Sequence, residues 1–335
     1  MSLMGIQSAP VAIVLLANDG WGMTDMDQIT DPYAQGYERC VVTFIDILGY
    51  RALLKTKSAA EILEILEALR KFAEGDGDGD DRPRSMDEVR LYTQAFSESV
   101  SDAVVRVRTV DTQSQDGPFL YELLDLVHAQ IACVDRGILI RGGMTIGPVH
   151  VGLDGKGPVF GNAMVRAYEI ESNEAVYPRI MIDDAAVETF LSDPSLWQHG
   201  QFDENDAEMA QQLIGVSEDG SYFVDYLRAA GPGEFDAGEA GRFAFISKHR
   251  AVILEKLASA DEKGRRKLIW LANYHNRFVN DLREQYDMND PEGLFEAELG
   301  ESPTVLFDSL LIEGTWTGLA ATLATLSERP ANAAR

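Results

Sequence analysis

Two carboxylates, Asp46 and Asp102, carry the clearest chemistry in this chain. Asp46 lies in Cys40–Tyr50, CVVTFIDILGY, an apolar and β-branched run that ends in a tight turn containing Gly49. An acid in such a run is costly unless something pairs with it. A divalent cation and a second carboxylate would do so, and Asp102 supplies the carboxylate in SESVSDAVVRVR, where two strand-like runs meet at a Ser101-Asp102 turn. Two acids on neighbouring strands, aimed at one rim, make a hard-oxygen site for Mn²⁺ or Mg²⁺. The competing reading is that Asp46 caps the helix that follows its strand.

Composition limits what such a site can belong to. With 335 residues and 45% hydrophobic content, the chain can bury a full core. A formal charge of −26 argues against a surface that neutralises nucleic-acid phosphates or lies on anionic lipid, so neither nucleic acid nor membrane is an expected partner. A nucleotide still fits in a local pocket where metal ions and a few cations offset the charge. The two cysteines, Cys40 and Cys133, stand in apolar runs without ligand spacing and read as reduced core residues of a cytoplasmic protein. The five histidines are scattered, which gives a histidine metal site or a Ser-His-Asp triad little support.

The elements that must position the two acids follow from periodicity. Residues 1–37 form an N-terminal arm, in which the apolar run Pro10–Ala17 is too short to span a bilayer. Ala59–Ala73 spaces Ile62, Leu63, Leu66, Leu69 and Phe72 as an amphipathic helix. In the following GDGDGDD the acids alternate, but Asp81 stands where a calcium loop needs glycine, so a solvated loop is the better account. Val89–Val110 supplies two strands, and Phe119–Val134 a second helix. Gly137–Gly152, GILIRGGMTIGPVHVG, reads as a hairpin whose backbone approaches something closely. A glycine turn then enters a helix in GPVFGNAMVRAYEIES, Arg179–Ile182 is a further strand, and SYFVDYL a last one. The order predicts an α+β sandwich, a mainly antiparallel sheet with helices on one face. From His249 to Arg283 one or two long helices are expected. The cluster Lys263-Gly264-Arg265-Arg266-Lys267 reads as a solvated turn between them or as a phosphate patch, and Lys248 is a further candidate for a phosphate contact.

FIDILGY, ESVSD, RGGMTIGPVHVG and FGNAMVRAYEIES, in this order and spacing, resemble the successive motifs of class III nucleotide cyclases. The resemblance covers about residues 38–250 and implies a cyclase catalytic domain with a ferredoxin-like βαββαβ core, followed by a helical C-terminal extension over 251–335. It implies two metal ions held by Asp46, Asp102 and the carbonyl of Ile47, with the Leu48-Gly49 turn cradling a triphosphate. Substrate contacts would come from Phe44, Leu48, Gly49, Tyr50, Glu98 and Asn162. The implied reaction is attack of a ribose 3′-oxygen on the α-phosphorus of a nucleoside triphosphate, with loss of pyrophosphate. In an alternative register Glu98 holds the metal and Gln94 reads the base; the strand-like run AVVRVRT after Asp102 fits the family's hairpin better.

Base choice departs from both purine patterns of the family. The two base-reading positions match Glu98 and Pro158. A carboxylate only accepts, so Glu98 suits the imino N–H of uracil or guanine and opposes adenine and cytosine. Pro158 has no N–H to give a purine. Tyr50 either fills space beside a small base or is a core aromatic. The family's transition-state Asn/Arg pair falls on Val165 and Glu169, but Asn162 and Arg166 share the same i, i+4 spacing. Arg166 therefore either stabilises the transition state from a shifted turn or makes a surface salt bridge. Arg141 matches the arginine at the head of the family's fourth motif. Among bacterial relatives the combination most resembles the uridylate cyclases of the Pycsar antiphage systems. That likeness implies a manganese-dependent homodimer with active sites at the subunit interface, making cyclic UMP from UTP to activate a separate effector. Guanylate or cytidylate cyclase, or an inactive cyclase-like nucleotide-binding protein, are the alternatives.

Overall fold

The structure, a computed structural model, describes residues 36–74, 91, 93, 95–100, 102–151, 159–289 and 303–314. Strand β1 (Glu38–Ile47) turns into helices α1 (Tyr50–Thr56) and α2 (Ala59–Glu74). The hairpin of β2 (Ala95–Val100) and β3 (Ala103–Thr109) leads to α3 (Pro118–Asp135) and β4 (Ile140–Val149). Helix α4 (Asn162–Glu169) runs on into a π-helical turn, Ile170–Glu174. Then come β5 (Ile180–Ile182), α5 (Asp184–Ser192), α6 (Glu204–Leu213), β6 (Ile214–Val216), β7 (Tyr222–Val224) and α7 (Tyr226–Ala229). Helices α8 (Glu239–Ser259), α9 (Glu262–Asn289) and α10 (Pro303–Leu310) follow. The Pro10–Ala17 arm, the acidic loop at 75–81, Gln94, Pro158 and the side chain of Glu98 lie outside the described residues.

The sheet order is β2-β3-β1-β4-β5-β7-β6, and only the β4–β5 pairing is parallel. The fold is therefore α+β with a mixed, mainly antiparallel sheet. Alternation along β1 sets the layers, because successive side chains point to opposite faces. Cys40 and Val42 pack with Val105, Val107, Ala163 and Ala167, which puts α4 on one face. Val41, Ile45 and Ile47 join the main core with Leu69 of α2 and Leu120 and Leu123 of α3 on the other. Helices thus cover both faces near β1, where one covered face was expected. The reason is in the strand itself: Cys40, Val41, Val42, Thr43 and Ile45 are all fully buried, so β1 has no polar side to leave in water.

The stretch expected to be a hairpin, 137–152, contains one continuous strand, β4, lying between β1 and β5. Its glycines permit close packing and not a turn. A Cβ on Gly142 would stand 2.6 Å from the Phe44 carbonyl oxygen, and one on Gly143 would stand 2.4 Å from that of Ala167. The close approach read from those glycines is present, at the α4 side.

The lysine and arginine cluster at 263–267 lies inside the first turns of α9 and not in an interhelical turn, since α8 and α9 join at residues 260–261. Helix α8 also runs unbroken through the boundary expected at residue 250. Leu268, Leu271 and Tyr274 of α9 share one core with Ile180, Phe223 and Tyr226, so the C-terminal helices are packed onto the sheet's β5–β7 end.

Candidate functional site

Asp46 and Asp102 are brought together by strand register. Asp46 pairs with Ala103 of β3 on one side and Arg141 of β4 on the other, and Asp102 is the residue just before Ala103. The two carboxyls are in hydrogen-bonding contact. Helix α1 takes Gly49 as its N-cap with no side-chain cap, so Asp46 is not the capping residue. Gly49 instead provides the turn, with φ 82°, a left-handed conformation that suits glycine.

A third acid, Glu171, and the Arg141 guanidinium complete the cluster. Arg141 donates to Asp46 Oδ2 from Nη2 at 3.2 Å and to the Ala175 carbonyl from Nη1 at 3.4 Å. The same Nη2 stands 2.6 Å from Glu171 Oε1, a close ion pair without the alignment of a hydrogen bond. Burial, then the Asp102 contact and the charges of Glu171 and Asp102, push the Asp46 carboxyl up to about 7, against the pull of Arg141. Burial also raises Glu171, opposed mainly by Arg141. Three acids and one arginine therefore leave an excess of negative charge, which a proton or a cation can offset. The side chains of Asp46 and Arg141 retain 19% and 21% exposure, enough for a ligand to reach them. Among the described residues no group of three or more His, Cys, Asp and Glu side chains is arranged to hold a metal ion by itself. The Asp46–Asp102 pair still has the hard-oxygen chemistry a divalent cation needs, with water or a ligand completing the shell.

The remaining expected site residues divide between this cluster and its surroundings. Ile47 is buried beside Ile140 at the end of β1. The Leu48 N–H donates to the Leu139 carbonyl at 2.8 Å, so it is not open to a phosphate. Any cradle at this turn must come from the first N–H groups of α1. Tyr50 packs against the main core, in keeping with its reading as a core aromatic. Phe44 is partly buried and meets Tyr168 of α4 edge to face at 5.3 Å. Glu98 sits opposite Val105, which sits opposite Phe44, so the backbone puts the expected base reader in the Phe44 row of the sheet.

Arg166 has other partners. Its Nη2 donates to Asp183 Oδ1 at 2.9 Å, its Nε to Asp183 Oδ2 at 3.1 Å, and its Nη1 to Glu174 Oε1 at 2.6 Å. Asp183 also accepts from Thr145 Oγ1 at 2.8 Å, and although burial would raise it, Arg166 and Thr145 hold its carboxyl below the usual range. This is the salt-bridging role. Asn162, one turn earlier, and Lys248, on α8, are exposed.

Sequence reasoning passed over Glu171. It follows Ala163 and Ala167 at a spacing of four, and that spacing on a face closing on the sheet is the signal that would have found it. It also passed over the arginines of AVVRVRT. Arg106 is fully buried and Arg108 nearly so; both donate to Glu122, Arg106 Nη2 reaches Asp125 Oδ2 at 2.6 Å, and Thr43 Oγ1 donates to Glu122 Oε1 at 3.0 Å. Burial alone would raise Glu122, but the two guanidiniums hold it down. This network ties β1 and β3 to α3 on the face away from Glu171.

Compared with known proteins, the chain matches no family model and no curated protein. Among the described residues no helix is long and apolar enough to cross a membrane.

Proposed function

We propose that this chain is a nucleotide cyclase of the class III type that converts UTP to 3′,5′-cyclic UMP and pyrophosphate. The observation that carries the reading is the meeting of Asp46 and Asp102 at one end of β1 and β3. The strand order β2-β3-β1-β4, antiparallel throughout and with helices after β1 and β3, supports it, being that of a ferredoxin-like βαββαβ core. Asp46, Asp102 and the Ile47 carbonyl would hold Mn²⁺ or Mg²⁺, which on binding lowers the pKa of a hydroxyl and offsets charge on phosphate oxygens. In the reaction the ribose 3′-oxygen bonds to the α-phosphorus and the bond from that phosphorus to the pyrophosphate oxygen breaks. The electron pair leaves with pyrophosphate and the 3′-proton passes to solvent.

The protein's part is positioning and electrostatics. Arg141 steadies Asp46, and Glu171 keeps Arg141 in place. Glu98, accepting the imino N–H of uracil, would set base choice, with Phe44 in the same row. Val165 and Tyr168 on the outer side of α4 are exposed, which agrees with a homodimer whose active sites lie at the interface. The cyclic product would signal to a separate effector in antiphage defence, as the sequence resemblance implies.

A second reading, a cyclase-like protein that binds nucleotide without turnover, is favoured by one observation: Arg166 is engaged by Asp183 and Glu174. Incubation with Mn²⁺ and equal ATP, GTP, CTP and UTP, with products identified by mass, separates the readings. Cyclic UMP is the expected main product. Cyclic GMP would keep the Asp46–Asp102 chemistry and remove the small-base argument, and nucleotide binding without any cyclic product would favour the second reading.

A further inference from the structure

Lys267 lies outside the span of the cyclase resemblance, yet it stands beside the acid cluster. It is half-buried on α9 and, among the described residues, makes no hydrogen bond or ion pair. Its position follows from how α9 docks. Trp270 stacks on Tyr177 with ring centroids 5.0 Å apart and planes within 8°. Tyr177 belongs to the segment after the π-helical turn, in which Ala175 accepts from Arg141. Lys267 is three residues before Trp270, hence on the same flank of the helix, and Lys263 is one turn further on. The charged groups in range of Lys267 are Arg141, Lys263, Asp46 and Glu171. In a chain of formal charge −26, Arg141 and Lys267 thus both lie within electrostatic range of Asp46 and Glu171, with Lys263 in range of Lys267.

A half-buried ammonium that makes no hydrogen bond or close ion pair is costly, and burial with the nearby Arg141 and Lys263 lowers its pKa against the pull of Asp46 and Glu171. A polyanion would supply the missing contact. We propose that Lys267, seconded by Lys263, binds the β- and γ-phosphates of the nucleoside triphosphate whose α-phosphate lies at Asp46 and Asp102. As the bond from the α-phosphorus to pyrophosphate breaks, the electron pair moves onto a pyrophosphate oxygen. Lys267 faces that charge as an ammonium and transfers no proton. The C-terminal helices would thereby complete a site whose other residues come from the sheet. The identity of the ligand rests on the cyclase reading; the choice of residue rests on the docking of α9.

The test is calorimetric titration of the full chain with inorganic pyrophosphate and Mg²⁺, alongside UTP turnover. Loss of one charged hydrogen bond is expected to weaken pyrophosphate binding in Lys267→Gln by roughly ten- to a hundredfold. The same variant should raise KM for UTP more than it lowers kcat, with an unchanged melting temperature, and Lys267→Arg should restore most of the affinity. Pyrophosphate binding to Lys267→Gln at wild-type strength, with normal turnover of UTP, overturns this inference alone. Lys267-dependent pyrophosphate binding in a protein that makes no cyclic nucleotide supports it and overturns the cyclase reading. A wild-type chain that binds neither pyrophosphate nor UTP overturns both.

Discussion

At Asp46, burial and two neighbouring acids act in one direction and Arg141 is the main group opposing them. The geometry that holds this balance depends on a position with no side chain. A Cβ on Gly143 would meet the Ala167 carbonyl oxygen at 2.4 Å, Ile170 Cβ at 2.6 Å and the Glu171 nitrogen at 2.8 Å. Backbone atoms cannot swing aside as a side-chain tip can, so Gly143→Ala must lift the π-helical turn from β4 and move Glu171 from Arg141. The expected cost is about 1–3 kcal/mol, the range for overpacking. A urea midpoint that falls with an unchanged slope checks it, and a variant as stable as wild type would contradict the packing described. Asp46 and Asp102 were legible in the sequence because each ends a strand-like run at a turn. Glu171 was marked only by its spacing of four after Ala163 and Ala167, because its burial depends on which strand that helical face meets. Arg166 was legible as a cation but its partner was not: Asp183 is 17 residues away in sequence.

At the scale of elements, the strands and helices around β1 were read from periodicity, while β4 was taken for a hairpin because glycine marks turns and close packing alike. Helices α5, α6 and α10 escaped notice, the first two being short and joined by turns that local patterning does not mark. The C-terminal helices are held by a buried chain of hydrogen bonds whose proton positions follow from the partners. The Leu310 carbonyl can only accept, so His275 donates from Nε2 at 2.9 Å and its Nδ1 accepts from His249 Nδ1 at 2.9 Å. His249 Nε2 then accepts from the Tyr226 hydroxyl at 2.6 Å. This assignment holds because burial keeps both imidazoles neutral, and α7, α8, α9 and the end of α10 are joined through them. Burial holds His275 down to about 4 and, with the neighbouring His275, holds His249 well below its usual value. An unfolded imidazole takes up its proton near ~6.5, so below that pH the unfolded chain binds more protons than the folded one. Their contribution to stability is present above about 6.5 and is lost as the pH falls towards about 4, by up to ~1.4 kcal/mol per pH unit for each imidazole. Nuclear magnetic resonance of the histidine ring protons checks this: two imidazoles should stay neutral from pH 8 to about pH 5. Titration of all of them near their ordinary value would contradict the buried chain.

For the molecule as a whole, a strongly acidic chain adds Lys267 to Arg141 within electrostatic range of Asp46 and Glu171, and does so by packing its C-terminal helices onto the sheet. The α+β class, the mainly antiparallel sheet and the meeting of Asp46 with Asp102 could be read from sequence, because strand period and turn placement are local. The covering of both sheet faces and the approach of α9 to the acids could not, because they depend on which buried surfaces meet. The central claim is that the two acids act together on a triphosphate, and the most direct measurement is Mn²⁺-dependent conversion of UTP by wild type, Asp46→Asn and Asp102→Asn at equal concentration. Wild type should yield cyclic UMP, and each variant should retain its fold while losing about a thousandfold or more of the rate, as expected when a group that stabilises the transition state is removed. Turnover in Asp46→Asn at the wild-type rate would contradict the account.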